Sequence, residues 1–225
     1  KKKDDRGINI MNDEIIIEVN EVFKKYDDAT VLDNVSLEIE KGKIYGLVGR
    51  NGSGKTVLMK CICGLIKPTS GEVKVAGKTV GKDVDIPEDI GVIIETPGFI
   101  PNYSGFKNLK LLASVRNKIS NEEIRKSMEI VGLEPKSRKH VGKYSLGMRQ
   151  KLGIAQAIME KPKILILDEP MNGLDNESVA VVRKILKEQA ENGATIILAS
   201  HNREDIDVLC DKVYTMDHGV IECER

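Results

Sequence analysis

Gly49-Arg50-Asn51-Gly52-Ser53-Gly54-Lys55-Thr56 is the stretch from which the rest of the chain is read. An apolar, β-branched run over 44–48 precedes it and a helix-capable run over 57–63 follows, so the glycine-rich segment lies where a strand passes into a helix. Glycines at 49, 52 and 54 let the backbone turn tightly and aim N–H groups inward, where they and the helix N-terminus hold phosphate oxygens. Lys55 is placed to reach the β- and γ-phosphates of a nucleotide, and the Thr56 hydroxyl to bind Mg2+. The alternative is an ordinary glycine turn before a helix. The full pattern arises by chance in about one chain in a hundred of this length, and nucleotide binding is therefore expected.

A chain of 225 residues buries one sizeable core, with room for a small appended lobe. Its 35 basic and 35 acidic residues balance, so no excess positive charge supports general affinity for nucleic acid or an anionic membrane. No apolar run approaches the roughly 18 residues of a bilayer span, and the basic start is not followed by the apolar segment of a signal peptide. A cytoplasmic protein is expected. Cys61, Cys63, Cys210 and Cys223 lack Cys-x-x-Cys spacing and are expected to be buried or unreactive thiols. Residues 1–13 are polar, begin without Met and contain Met11, and are set aside as an N-terminal arm or expression remnant.

The remaining chain alternates strand and helix patterns. Strands are expected at 14–20 and 35–39, a turn at 40–43, further strands at 72–75 and 91–94, and a loop at 95–98. Tyr26 stands in the charged stretch 24–28, where its ring stacks on a purine base or packs on a sheet edge. Residues 108–132 change to helical spacing, with apolar residues at 109, 112, 115 and 119, then 124, 128 and 131, and a Ser120/Glu123 capping-box pair between them. A helical lobe is thus inserted between strands of an α/β core.

Lys163-Ile164-Leu165-Ile166-Leu167-Asp168-Glu169-Pro170 reads as a central parallel strand buried on both faces, with two carboxylates at the end where open α/β sheets bind ligands. Asp168 is placed to hold Mg2+, and Glu169, one residue on, to orient or deprotonate water. A solvated acidic turn is the competing reading, weakened by Lys55 and Thr56 in the same chain. A third aliphatic strand, 194–199, ends at Ser200-His201, and His201 is either a solvated structural residue or reaches the same crevice. A short helix at 203–209, a strand at 212–216, a turn at 217–219 and a final run at 220–223 complete the chain.

With Tyr144-Ser145-Leu146-Gly147-Met148-Arg149-Gln150 placed between the helical lobe and that aliphatic strand, the chain resembles the nucleotide-binding subunit of an ATP-binding cassette (ABC) transporter across residues 14–223. The resemblance implies a P-loop NTPase (RecA-like) α/β core with an N-terminal antiparallel β subdomain, over 14–95 and 158–223, and an inserted α-helical subdomain carrying the signature, over 96–157. It implies ATP held by Tyr26 as the base-stacking aromatic and by Gly49, Arg50, Asn51, Gly52, Ser53, Gly54, Lys55 and Thr56. Ser145, Gly147 and Asp175 would contact ATP bound to a second subunit, in a head-to-tail pair. Glu169, His201 and Lys55 would be catalytic, and Thr56, Asp168 and Glu95 would serve Mg2+. A transmembrane permease is the implied partner, which places the chain at the inner face of the membrane; no nucleic acid is expected.

Two departures stand out. The family's signature commonly reads Leu-Ser-Gly-Gly-Gln, whereas Leu146 and Met148 replace its first Gly and its Gln here, and Glu95 stands where many relatives carry Gln. Ser145 still caps a helix whose N-terminus suits an anion. Both departures are similar to those of the bacitracin-resistance and lantibiotic-immunity branch, which implies export or expulsion of a peptide antibiotic or related amphipathic peptide. Two other readings are a regulatory module that closes on ATP with little hydrolysis, and an ABC ATPase acting on nucleic acid or ribosomes. Retention of Glu169 and His201 argues against the first, and neutral charge against the second.

Overall fold

The computed structural model describes residues 14–223; the expected N-terminal arm and residues 224–225 lie outside them. Two sheets organise these residues. The first is antiparallel and four-stranded, with strands β1 (Ile15–Tyr26), β2 (Ala29–Glu40), β4 (Ser70–Val75) and β5 (Lys78–Thr79) in the order β2-β1-β4-β5. Val35, Leu37 and Ile39 alternate inward along β2, as one buried face requires. β1 runs six residues past the expected end at 20, because register shifts between Val19 and Val22 and between Val22 and Lys24 break the period of two. The hairpin turns at Asp27-Asp28, with Tyr26 paired to Ala29 and Asp27 in the left-handed region (φ 48°).

The second sheet has the order β10-β9-β3-β8-β7-β6, formed by β3 (Ile44–Val48), β6 (Ile90–Ile93), β7 (Ile164–Asp168), β8 (Thr195–Ala199), β9 (Lys212–Asp217) and β10 (Val220–Cys223). All neighbours are parallel except the β9–β10 hairpin. β7 and β8 are buried at every position, which explains their unbroken aliphatic sequence. Alternate side chains serve two cores. Ile164, Ile166 and Ile197 face the antiparallel sheet and helix α1 (Lys55–Ile62), whereas Leu165, Leu167 and Leu198 face the remaining helices. Cys61 and Cys63 are buried in the first of these cores, where burial pushes their thiols up to about 11 and about 12.

The inserted lobe holds α2 (Gly105–Arg116), α3 (Asn121–Ile130) and α4 (Leu146–Ile158). Each opens on a serine whose side chain accepts from a backbone N–H, and the expected Ser120/Glu123 capping box is complete. Ile124, Met128 and Val131 are buried as expected, but α2 buries Gly105, Leu109 and Ala113 and turns Leu112 and Val115 to solvent. The stripe there follows i, i+4, i+8 rather than i, i+3, i+6. Helix α5 (Asn176–Glu191), which the sequence reading did not place, buries Val182, Ile185 and Leu186, and α6 (Arg203–Leu209) follows β8.

The two sheets are joined at a polar seam. Glu40 at the end of β2 bonds Lys43 and, at 2.5 Å, Lys212 of β9, while the Tyr214 hydroxyl donates to Glu38 O at 3.1 Å. The hydrogen bonds from Lys212 and then Lys43 hold the Glu40 carboxyl down at about 2. Among the described residues no helix is long and apolar enough to cross a membrane.

Candidate nucleotide-binding site

β3 stops at Val48 and the chain must reach α1 through a loop that passes close beneath β9. Gly49 sits at φ +152°, and a Cβ there would lie 2.1 Å from Met216 O, so no side chain fits. The loop curls around Lys55, whose ammonium donates to Gly49 O at 2.7 Å and Arg50 O at 3.0 Å. Ser53 Oγ is buried without a hydrogen-bond partner inside this ring, a polar group waiting for one. Such a cradle, with a buried cation and an unsatisfied hydroxyl, fits phosphate oxygens.

The neighbouring strand ends complete the site. The Thr56 hydroxyl donates to Asp168 Oδ2 at 2.6 Å, placing two hard oxygen donors side by side, as Mg2+ requires. Glu169 has left the strand in the left-handed region (φ 50°), an uncommon conformation for this residue, and its N–H donates to Ala199 O at 3.0 Å. Its Oε2 lies 2.8 Å from His201 Nδ1. β7 and β8 therefore bring the acid and the imidazole together at the crevice beside the phosphate loop. A cleft of about 560 Å³ lies there, lined by residues 51–57, Asp168, Glu169, Glu95 and the start of α4.

Other expected residues fall around this centre. Tyr26 is 45% exposed at the hairpin tip, with the Lys24 ammonium 4.8 Å from its ring centroid, so its ring is not packed away against a sheet edge. Ser145 caps α4, accepting from Met148 N at 3.2 Å, and Gly147 lies against Gly173. Asp175 caps α5, accepting from Ser178 N at 2.8 Å, and its hydrogen bonds to Ser178 lower its pKa. Glu95 is the exception. It lines the cleft but its carboxylate is bound by Lys60 of α1 at 2.5 Å, not by the Thr56–Asp168 pair, and no cluster of three acidic, histidine or cysteine ligands occurs among the described residues.

Several supports escaped the sequence reading. Gly219 donates its N–H to Ser53 O at 3.0 Å and accepts from Asp33 N at 2.9 Å; with φ +81° and Val31 O 2.6 Å from any Cβ, it must be glycine. Arg183 of α5 reaches Asp205 and Glu204 of α6, and Asp205 accepts from Ser200 Oγ. Gln150 of α4 donates to the main chain beside Glu169. Nothing in the spacing of these residues marks them, since each acts across a distance that only the tertiary fold sets.

A family model described as "ABC transporter" matches residues 32–172, which takes in the phosphate loop, the signature and the Asp168-Glu169 strand. The chain belongs to the ABC transporter family. An uncharacterized ABC transporter ATP-binding protein, YybJ of Bacillus subtilis, is 48% identical over 92% of this chain and 95% of its own length. The bacitracin transport ATP-binding protein BcrA of Enterococcus faecalis is 43% identical over 92% of this chain and 68% of its own length. The lantibiotic transport ATP-binding protein SrtF of Streptococcus pyogenes is 36% identical over 93% and 90%. Among solved structures, the dimeric post-hydrolysis ATP-binding cassette MJ0796 with ADP and Pi shares the fold with a TM-score of 0.83 at 22% identity, over 93% of this chain and 99% of that one. As an ABC cassette, the chain is the ATP-binding and ATP-hydrolysing domain of a transporter, and its resemblance to the bacitracin and lantibiotic branch holds.

Proposed function

We propose that this ABC cassette works as one of two ATPase subunits facing head to tail beneath a membrane permease, and that it powers expulsion of a peptide antibiotic or similar amphipathic peptide. The observation that carries the chemistry is the Glu169–His201 contact at 2.8 Å, one residue beyond the Thr56–Asp168 pair. Lys55, Ser53 and the loop N–H groups hold the triphosphate, and Tyr26 stacks on the base. Thr56 and Asp168 would hold Mg2+, which neutralises charge on the phosphoryl oxygens. Glu169 orients the attacking water and accepts its proton, while His201 fixes the Glu169 carboxylate and faces the γ-phosphate.

Ser145 and Gly147, at the N-terminus of α4, complete the site of the opposing copy, and Asp175 links the two sites. Phosphoryl transfer depends on positioning and charge, so turnover requires the closed pair. The names of the BcrA and SrtF relatives support the peptide cargo, as does Glu95 in place of the commoner Gln. Association with a permease puts the cassette at the cytoplasmic face of the membrane.

The test is Glu169→Gln in the cassette expressed with its permease. ATP binding persists, turnover falls by about 100-fold or more, the pair stays closed, and protection of cells against the peptide is lost. Near-normal hydrolysis by this variant removes the role given to Glu169, and unchanged peptide tolerance on deleting the cassette removes the cargo.

A further inference from the structure

Gln150 lies one turn into α4 and is 8% exposed, and its Nε2 sits 3.2 Å from Glu169 O and 3.0 Å from Pro170 O. Both neighbours are carbonyl oxygens, so only the amide nitrogen can face them. Glu169 is the residue whose backbone is in the left-handed region, and its peptide groups are pinned from three sides: N–H to Ala199 O, and C=O from Asn172 N at 3.1 Å and from Gln150. The Gln150 side chain is the one of these three that comes from the inserted lobe. The turn of α4 before it touches the same loop, since a Cβ on Gly173 would meet Leu146 Cδ2 at 2.5 Å and one on Gly147 would meet Gly173 O at 3.0 Å. Residues 146, 147 and 150 share one helix face, so a shift of α4 is passed directly to the Glu169 backbone.

The geometry points to Gln150 as a positioning residue that couples the two ATP sites of the closed pair: the α4 N-terminus senses the nucleotide of the opposing copy, and Gln150 transmits its placement to the Glu169 of its own chain. This rests on the head-to-tail reading and on the role of Glu169 proposed above. Without Gln150 the Glu169 carbonyl keeps only the Asn172 N–H, so the left-handed backbone that aims the Glu169 carboxylate is held less tightly, and the Gln150 bonds serve orientation during hydrolysis rather than phosphate binding.

Gln150→Met keeps the length and removes the donor. In the cassette with its permease, kcat is expected to fall about 10- to 100-fold. Affinity for a fluorescent ATP analogue under non-hydrolysing conditions stays unchanged, and the cooperativity of hydrolysis with ATP concentration is lost. Gln150→Lys, which restores a donor at similar reach, recovers both kcat and cooperativity. Where the Met variant fails to fold, Gln150→Glu, with the same shape and an acceptor in place of the donor, gives the same comparison. An unchanged kcat with retained cooperativity overturns the inference, and so does a loss of ATP affinity that accounts for the loss of rate. Glu169→Gln separates the failures: if it is inactive while Gln150→Met is normal, only the coupling role falls, whereas an active Glu169→Gln removes the reading beneath it.

Discussion

Replacing Arg183 by Met should destabilise the cassette by about 3–5 kcal/mol, and the structure shows where that cost arises. The guanidinium donates from Nε at 2.9 Å and Nη2 at 2.6 Å to Asp205 Oδ1, and from Nη1 at 2.8 Å to Glu204. These two arms are unequal. The Glu204 side chain is 67% exposed, so solvent screens its arm and it adds little, whereas Asp205 is buried. Without Arg183, Asp205 keeps only the Ser200 hydroxyl at 3.2 Å among these partners, and an uncompensated buried carboxylate carries nearly the whole cost. For a domain of this size the melting temperature should drop by roughly 10 °C. Pairing Arg183→Met with Asp205→Asn removes the stranded charge, so in urea unfolding the double variant should be more stable than the sum of the single losses allows. Turnover should fall as well, because Ser200 precedes His201 and accepts from Asn202 N at 3.1 Å. A single-variant loss below about 1 kcal/mol, or strictly additive losses, would refute the reasoning.

Glu40→Gln should show a pH signature. Its folded carboxyl, held at about 2, lies below the ordinary 4.5, so the contribution is present above pH 4.5 and is lost as pH falls from 4.5 toward 2. Unfolding across that range should find the variant less stable than the original at neutral pH, with the gap closing in acid; a constant gap contradicts the assignment. Glu95→Gln breaks an exposed pair with Lys60 and should leave hydrolysis by the isolated cassette intact while altering peptide protection in cells. Abolished hydrolysis would instead place Glu95 in the chemistry at the metal, as the family resemblance implies.

Much of the candidate site was legible because the chemistry proposed for it demands contiguous residues. A phosphate cradle needs its glycines and its lysine within one turn, so residues 49–56 declare themselves, and Asp168-Glu169 announce a buried strand by the aliphatic run before them. His201 stayed open in the residues alone, because a histidine after a strand has no partner until β7 and β8 set it beside Glu169. The ends of β1 and the whole of α5 were harder. Bulges put β1 out of phase with its own alternation, and α5 carries polar residues through much of its length, with its apolar stripe facing a core built from distant strands. Glu95 was readable as a position at the cleft, but its contact with Lys60 was not, since that lysine lies 35 residues earlier on another element.

Gly219 turns two grips into one instrument. A single residue, through its N–H and its C=O, spans from the β2 backbone at Asp33 to the phosphate loop at Ser53, and the Glu40–Lys212 seam locks the same two sheets farther along. These bonds tie the strand that leads from the Tyr26 hairpin to the ring around Lys55, so on the proposed stacking role of Tyr26 the two sides of the site act as the jaws of a calliper. Length is then a criterion of acceptance alongside chemistry: a compound that satisfies one jaw but is too short to meet the other gains only half the grip.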